Sequence, residues 1–249
     1  MKKTIISLLL FLLLSANTAF SQINLDSLFN FGKNVLDVIG ENTELTDSEE
    51  TEFGDMLGGE FNKQHTLTST GKEKVEIIGN NISNYVKRKA IGYKFNVMKD
   101  EIKNAFSMAG GNIWITSGLL NLVENDDELA FVIAHEMAHE DKKHNMKRIQ
   151  MIYRAYQFGG EDAAQLASIV QNLLMTPFEK YQEFEADEYG AYLLRHAGYN
   201  TNGAITFFNK LASLEKETSE DEIGYLFRTH PYTKDRIKRL KDYIIKLDK

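Results

Sequence analysis

The stretch from Glu128 to His139, which reads ELAFVIAHEMAH, constrains this chain more than any other. It is a helix-forming run with two histidines, His135 and His139, four residues apart. Side chains at i and i+4 leave one helical face a turn apart, so the two imidazoles can hold one Zn²⁺ together. Glu136 stands beside the first histidine, placed to act on a zinc-bound water rather than to ligate. A catalytic zinc takes three protein ligands plus water. The rest of the chain therefore has to deliver a second ligand-bearing element to this face, with a platform for substrate and a way to stabilise developing charge.

Composition narrows the choice. The chain has no cysteine, which excludes disulfides, thiolate–zinc sites and cysteine nucleophiles and leaves histidine and carboxylate as ligands. Its 249 residues suffice for one sizeable domain with its own core. The apolar content of 43% and charged content of 26% are those of a globular protein. The formal net charge is −7. No basic patch invites nucleic acid, and an acidic chain is not drawn to anionic lipid.

Residues 1–21 have the pattern of a secretory signal peptide: Lys2-Lys3, an apolar run from Ile5 to Leu14, and Ala19-Phe20-Ser21 before Gln22. The run falls short of the roughly 20 apolar residues that span a bilayer. The expectation is cleavage near Ser21/Gln22, a periplasmic or secreted product, and no transmembrane segment in the mature chain. Residues 22–45 then hold an amphipathic helix (24–39) and a linker, and 46–249 form the principal domain.

Within that domain Thr46-Asp47-Ser48-Glu49 is a capping box that starts a helix running to about Phe61. A second helix is expected over 72–89, with Val75, Ile78, Ile82, Tyr85 and Val86 facing inward. The alternation of Tyr93, Phe95 and Val97 marks a strand. Gly110-Gly111 allows a bend before the β-rich segment Asn112-Ile113-Trp114-Ile115-Thr116. Further helices are expected for the stretch carrying His135 and His139, capped near Asn125, over 161–175, from about Pro177 as first helical residue to Gly198, over 202–216 and over 233–247.

The third ligand is not on the first helix. His144 lies nine residues past His135 and, at about 100° per residue, points away from it on a continuous helix; its expected place is the helix end or the surface. The acidic run Glu183-Phe184-Glu185-Ala186-Asp187 offers carboxylates on another helix. Glu183 and Asp187 are i and i+4 and share a face, whereas Glu185 points away. Glu183 is long enough to reach a metal on a facing helix. Asp187 can accept the outer N–H of a ligating histidine. Ala186 and Gly190 near this face would let the helices approach.

Five ordered blocks then carry a resemblance: NAFSMAGGNIWITSGLL (104–120), DELAFVIAHEMAHEDKKH (127–144), EFEADEYGAYLL (183–194), HAGYN (196–200) and THPYTKDRIKRL (229–240). Over roughly residues 46–249 the chain resembles the zincin-type metallopeptidase family that includes the CAAX prenyl endopeptidases, HtpX and BepA, closest to its soluble periplasmic members. Glu179-Lys180 stand where the family often has Ser-Arg, and the repeat array of the chaperone-like member has no counterpart. The resemblance implies an α+β, mainly helical zincin-like domain with a small edge-exposed β-sheet packed on the HExxH helix. It implies one Zn²⁺ per chain on His135, His139 and Glu183, with Glu136 as general base, Asp187 supporting the site and His230 near the metal. His230 and Arg236 are the candidate donors to the oxyanion, and His230 is alternatively a fourth zinc ligand that keeps the enzyme latent. The strand carrying Asn112, Ile113, Trp114 and Ile115 is expected to be an unpaired edge on which an extended or unfolded polypeptide lies, with Trp114 turned to the core. The function expected is a zinc endopeptidase acting on unfolded or misassembled envelope proteins. A chaperone-like binding module with little proteolysis and a hydrolase of small amides are the competing readings.

Overall fold

The computed structural model describes residues 45–157, 177–217, 230–231 and 233–247. The expected signal peptide and the helices over 24–39 and 161–175 lie outside them.

Helix α1 (Asp47–Gln64) starts at the capping box. Thr46 caps the Glu49 amide, and the Glu49 carboxylate accepts from the Thr46 amide at 2.8 Å. Helix α2 (Lys72–Ser83) buries Val75, Ile78 and Ile82 but stops short of residue 89. Arg88 is the reason. Its guanidinium pairs with Asp47 and Glu50 at the start of α1, both at 2.6 Å, and donates to the Glu140 carbonyl at 2.8 Å. The Asp141 carboxylate accepts from the amides of Lys87 and Arg88 at 2.9 and 2.6 Å. These partners pull residues 84–93 out of helical geometry, so Tyr85, expected to face inward, is 40% exposed.

Three strands follow: β1 (Lys94–Met98), β2 (Ala105–Met108) and β3 (Asn112–Thr116). Gly110 and Gly111 turn the chain between β2 and β3 with φ of 80° and 81°, left-handed values that favour glycine. The sheet order is β1–β3–β2, with β1 parallel and β2 antiparallel to β3. This corrects the expectation that Asn112, Ile113, Trp114 and Ile115 offer an edge to substrate. β3 is the central strand, and all five of its residues are buried. Its apolar run reflects burial on both faces, and its backbone groups are taken by two neighbours. Trp114 points into the core; its indole N–H donates to Asn62 at 2.8 Å and its ring stacks on Phe106. β2 is an edge strand, although its Ala105 and Ser107 are themselves buried. The Thr116 amide donates to the Asn104 carbonyl, and antiparallel alternation then leaves the N–H and C=O groups of Ala105 and Ser107 pointing away from β3. Among the described residues no strand pairs with that side.

After the short helix α3 (Ser117–Leu122) comes α4 (Asp126–Asp141), the centre of the molecule. Asn125 caps it by accepting from the Glu128 amide at 3.0 Å, and Asp126, Asp127 and Glu128 favour its positive end. Every residue from Glu128 to Asp141 is buried, as a helix without a polar face requires. Its surroundings are α2, β2, α6 (Lys180–His196) and α7 (Asn202–Glu217), while α5 (His144–Gln157) follows its end and α8 (Thr233–Leu247) closes over α6 and α7. Pro177 is not the first residue of α6; Glu179 and Gln182 form its capping box and the helix begins at Lys180. Gly190 on α6 faces the His135 backbone, where an added Cβ would stand 3.3 Å from its amide nitrogen.

Helix α1 docks as closely on the β2–β3 turn: a Cβ on Gly54 would lie 1.8 Å from the Ala109 carbonyl oxygen. Gly54→Ala would gain about 1 kcal/mol of helix propensity in isolation. The collision reverses the sign, and a net loss of about 1–3 kcal/mol in unfolding free energy is expected from urea titration. An unchanged or raised midpoint would contradict this docking.

Candidate metal centre

Three helices meet at the site. α4 supplies His135, Glu136 and His139, α6 supplies Glu183 and Asp187, and the approach to α8 and α8 itself supply His230 and Arg236. The Nε2 atoms of His135 and His139 are 3.1 Å apart. Glu183 places Oε2 3.7 Å from the first and Oε1 3.5 Å from the second. His230 Nδ1 lies 3.0 Å from Glu183 Oε1 and 3.3 Å from His135 Nε2. One donor atom from each of His135, His139, Glu183 and His230 falls within 4.8 Å of the others, and all four residues are buried. Three imidazole nitrogens converging with one carboxylate are a donor set for a divalent cation. Glu136 Oε2 and His230 Nε2 are buried there with no hydrogen-bond partner. The cluster fits a metal ion.

Charge around the cluster is arranged by Arg236. Its guanidinium grips Asp187 with two bonds of 2.8 Å, donates to the His230 carbonyl at 3.1 Å, and lies 2.6 Å from Glu183 Oε2. Burial opposes ionisation of Glu183, but Arg236 and His230 outweigh it and hold the carboxyl well below the usual carboxylate range. Burial equally opposes the Arg236 charge, and Asp187 and Glu183 outweigh it. For His139 burial prevails, reinforced by the charges of His135 and His230; the ring is held well below the usual imidazole range and offers a neutral lone pair. Arg236, expected as an oxyanion donor, spends its N–H groups on the Asp187 carboxylate and the His230 carbonyl. Asp187 Oδ1 is 3.0 Å from His135 Nδ1, at ion-pair distance although not aligned as a hydrogen bond.

Two neighbours escaped the sequence reading. Phe178 is buried and stacks on the His139 ring at 3.7 Å between centroids, with the Arg148 guanidinium over its other face. His144, expected at a helix end or on the surface, does begin α5 but is fully buried. Its Nδ1 stands 3.0 Å from His139 Nδ1, and burial pushes its pKa down to about 4. Continuous-helix geometry misplaces it because α4 ends at Asp141 and Lys143 takes a left-handed φ of 57°, which swings the chain back. Glu185, by contrast, points away from the cluster, toward Lys142 and His144.

The model of Peptidase family M48 matches residues 69–244. The chain belongs to Peptidase family M48. Among curated relatives it is 31% identical to Metalloprotease LoiP of Escherichia coli (strain K12) over 80% of this chain and 81% of that protein. It is 28% identical to mitochondrial metalloendopeptidase OMA1 of Schizosaccharomyces pombe over 61% of this chain and 47% of that one. Identity to the beta-barrel assembly-enhancing protease of E. coli is 28% over 57% of this chain, which spans only 32% of that relative. This M48 chain is a metalloendopeptidase, mainly helical with a three-stranded sheet. No described helix is long and apolar enough to cross a membrane.

Removing Arg236 leaves Glu183 and Asp187 as uncompensated buried charges. Arg236→Leu is expected to destabilise the metal-free protein by about 3–5 kcal/mol in urea titration with chelator present. A loss under about 1 kcal/mol, the range of an exposed pair, would show that the carboxylates do not depend on it.

Proposed function

We propose that this chain is a zinc-dependent endopeptidase that cleaves extended or unfolded segments of envelope proteins outside the cytoplasm. The observation that carries the reading is the buried cluster of imidazoles and carboxylate with the unpartnered carboxylate oxygen of Glu136 beside it. His135, His139 and Glu183 are the zinc ligands, and Asp187 orients His135. Zinc, when bound, would supply the Lewis acidity that lowers the pKa of its water to about 7 and polarises the scissile carbonyl. Glu136 takes the proton from the attacking water and later gives it to the leaving amine. Its 2% exposure keeps bulk water from competing for that proton.

Substrate lies along the free edge of β2 rather than on β3. Ala105 of that edge shares a cavity with His135, Glu136 and His230, and the cavity's apolar wall is formed by Phe131, Val132, Phe207, Phe208 and Leu211. A strand edge pairs with any extended backbone, which suits unfolded polypeptide better than a small amide. The extracytoplasmic place rests on the leader pattern of residues 1–21.

His230 is the donor to the tetrahedral oxyanion, a contribution that typically reaches about 100- to 1000-fold in rate. A second reading is favoured by its Nδ1 standing inside the donor set: the ring fills the fourth zinc position and keeps the enzyme latent. Arg236 serves either reading by positioning Glu183 and Asp187.

Zinc content and casein digestion test the core of this reading. About one zinc is expected in both the wild type and Glu136→Gln, with cleavage lost in the variant; equal cleavage by both would sink the mechanism. His230→Ala separates the two roles: activity falls about 100-fold or more if the ring is the oxyanion donor, whereas a rise would establish the latch.

A further inference from the structure

The two histidines of α4 have unlike outer partners. His135 Nδ1 faces a carboxylate directly, at 3.0 Å from Asp187. Among the described residues no carboxylate faces His139 at that atom. Its Nε2 is turned into the cluster, 3.5 Å from Glu183 Oε1, so a neutral ring with its lone pair toward the metal carries its proton on Nδ1. That Nδ1 lies 3.0 Å from His144 Nδ1. His144 must therefore accept there and hold its own proton on Nε2, which lies 3.2 Å from Glu185 Oε2. Lys142 donates to the other Glu185 oxygen at 2.7 Å. The opposite tautomer of His144 would set two N–H groups against each other and point a lone pair at a carboxylate. Only one assignment satisfies every atom of the chain.

Resting on the zinc-site reading above, we propose that His144 is a positioning residue: it relays the Glu185 carboxylate to His139, fixing that ligand's tautomer and ring orientation. Both α4 imidazoles then end on carboxylates, one directly and one through a second imidazole. Outer groups of this kind make a ligand more basic and hold it ready for the metal. The turn at Lys143 exists in order to return His144 to this place, because a helix continued through it would carry the ring away from His139.

The test uses the full chain. Zinc affinity is read by competition with a chromophoric chelator, and ligand geometry by the visible absorption of the cobalt-substituted protein. His144→Phe keeps a buried ring without the acceptor; it is expected to weaken zinc binding about 10- to 100-fold and to alter the cobalt spectrum. His144→Asn puts an amide oxygen where Nδ1 accepts and should restore most of the loss. Glu185→Ala should weaken binding less than His144→Phe. Wild-type affinity and spectrum in His144→Phe, or His144→Asn no better than His144→Phe, would overturn the relay. If circular dichroism shows His144→Phe unfolded, Glu185→Ala decides, and unchanged zinc affinity there overturns the proposal. A wild type that takes up no zinc would defeat the zinc-site reading itself, an outcome distinct from tight wild-type binding that these variants leave untouched.

Discussion

A carboxylate with no solvent exposure is the constraint around which this molecule is built. Glu183 sits among three imidazoles and a guanidinium at 0% exposure. Isolated burial of such a charge would cost several kcal/mol. Arg236 offsets that cost and at the same time grips Asp187, so one cation holds two buried carboxylates of α6. The C-terminal helix is therefore not an accessory. It completes the electrostatics of a cluster whose histidines on α4 and glutamate on α6 lie roughly 50 to 100 residues earlier in the chain, and Arg239 with Glu188 repeats the α8-to-α6 pairing at the surface. A divalent ion entering the cluster meets ligands already in place, which lowers the reorganisation that binding requires.

The same economy makes α4 both core and site. Small residues Ala130, Ala134 and Ala138 line it at 0% exposure, and Gly190 of α6 lies against its backbone at His135. Close approach is what lets a glutamate on one helix reach imidazoles on the other. The C-terminal end of α4 is tied down by Arg88 on the Glu140 carbonyl and by Asp141, which also accepts from Tyr189 at 2.5 Å. Packing on every side leaves the His135 and His139 rotamers little freedom.

What was legible in the sequence was local. The Thr46 and Asn125 caps, the i and i+4 spacing of His135 with His139 and of Glu183 with Asp187, and the glycine bend before β3 each follow from a few neighbouring residues, and the structure places them accordingly. What was not legible depended on distant partners. Alternation marks β1 and an apolar β-rich run marks β3, but neither says which of three strands takes the middle. The end of α2 is set by Arg88 meeting Asp47 some forty residues earlier. His144 stands at a helix end as expected, but its burial against His139 was not legible, because helical phase holds only while the helix continues and one left-handed residue cancels it.

His230 shows how the site reconciles rigidity with access. Arg236 holds the His230 backbone through its carbonyl at 3.1 Å, not through its ring. The ring itself lies 3.0 Å from Glu183, 3.3 Å from His135 and 3.5 Å from Glu136, and packs near the His139 and Phe178 rings. Burial lowers the pKa of His230, but Glu183 and Glu136 outweigh it and raise the value, so the ring is drawn in by the two carboxylates of the cluster. A cation in the cluster competes with that attraction. Both roles proposed for His230, oxyanion donor and fourth ligand, leave the contact between its carbonyl and Arg236 in place.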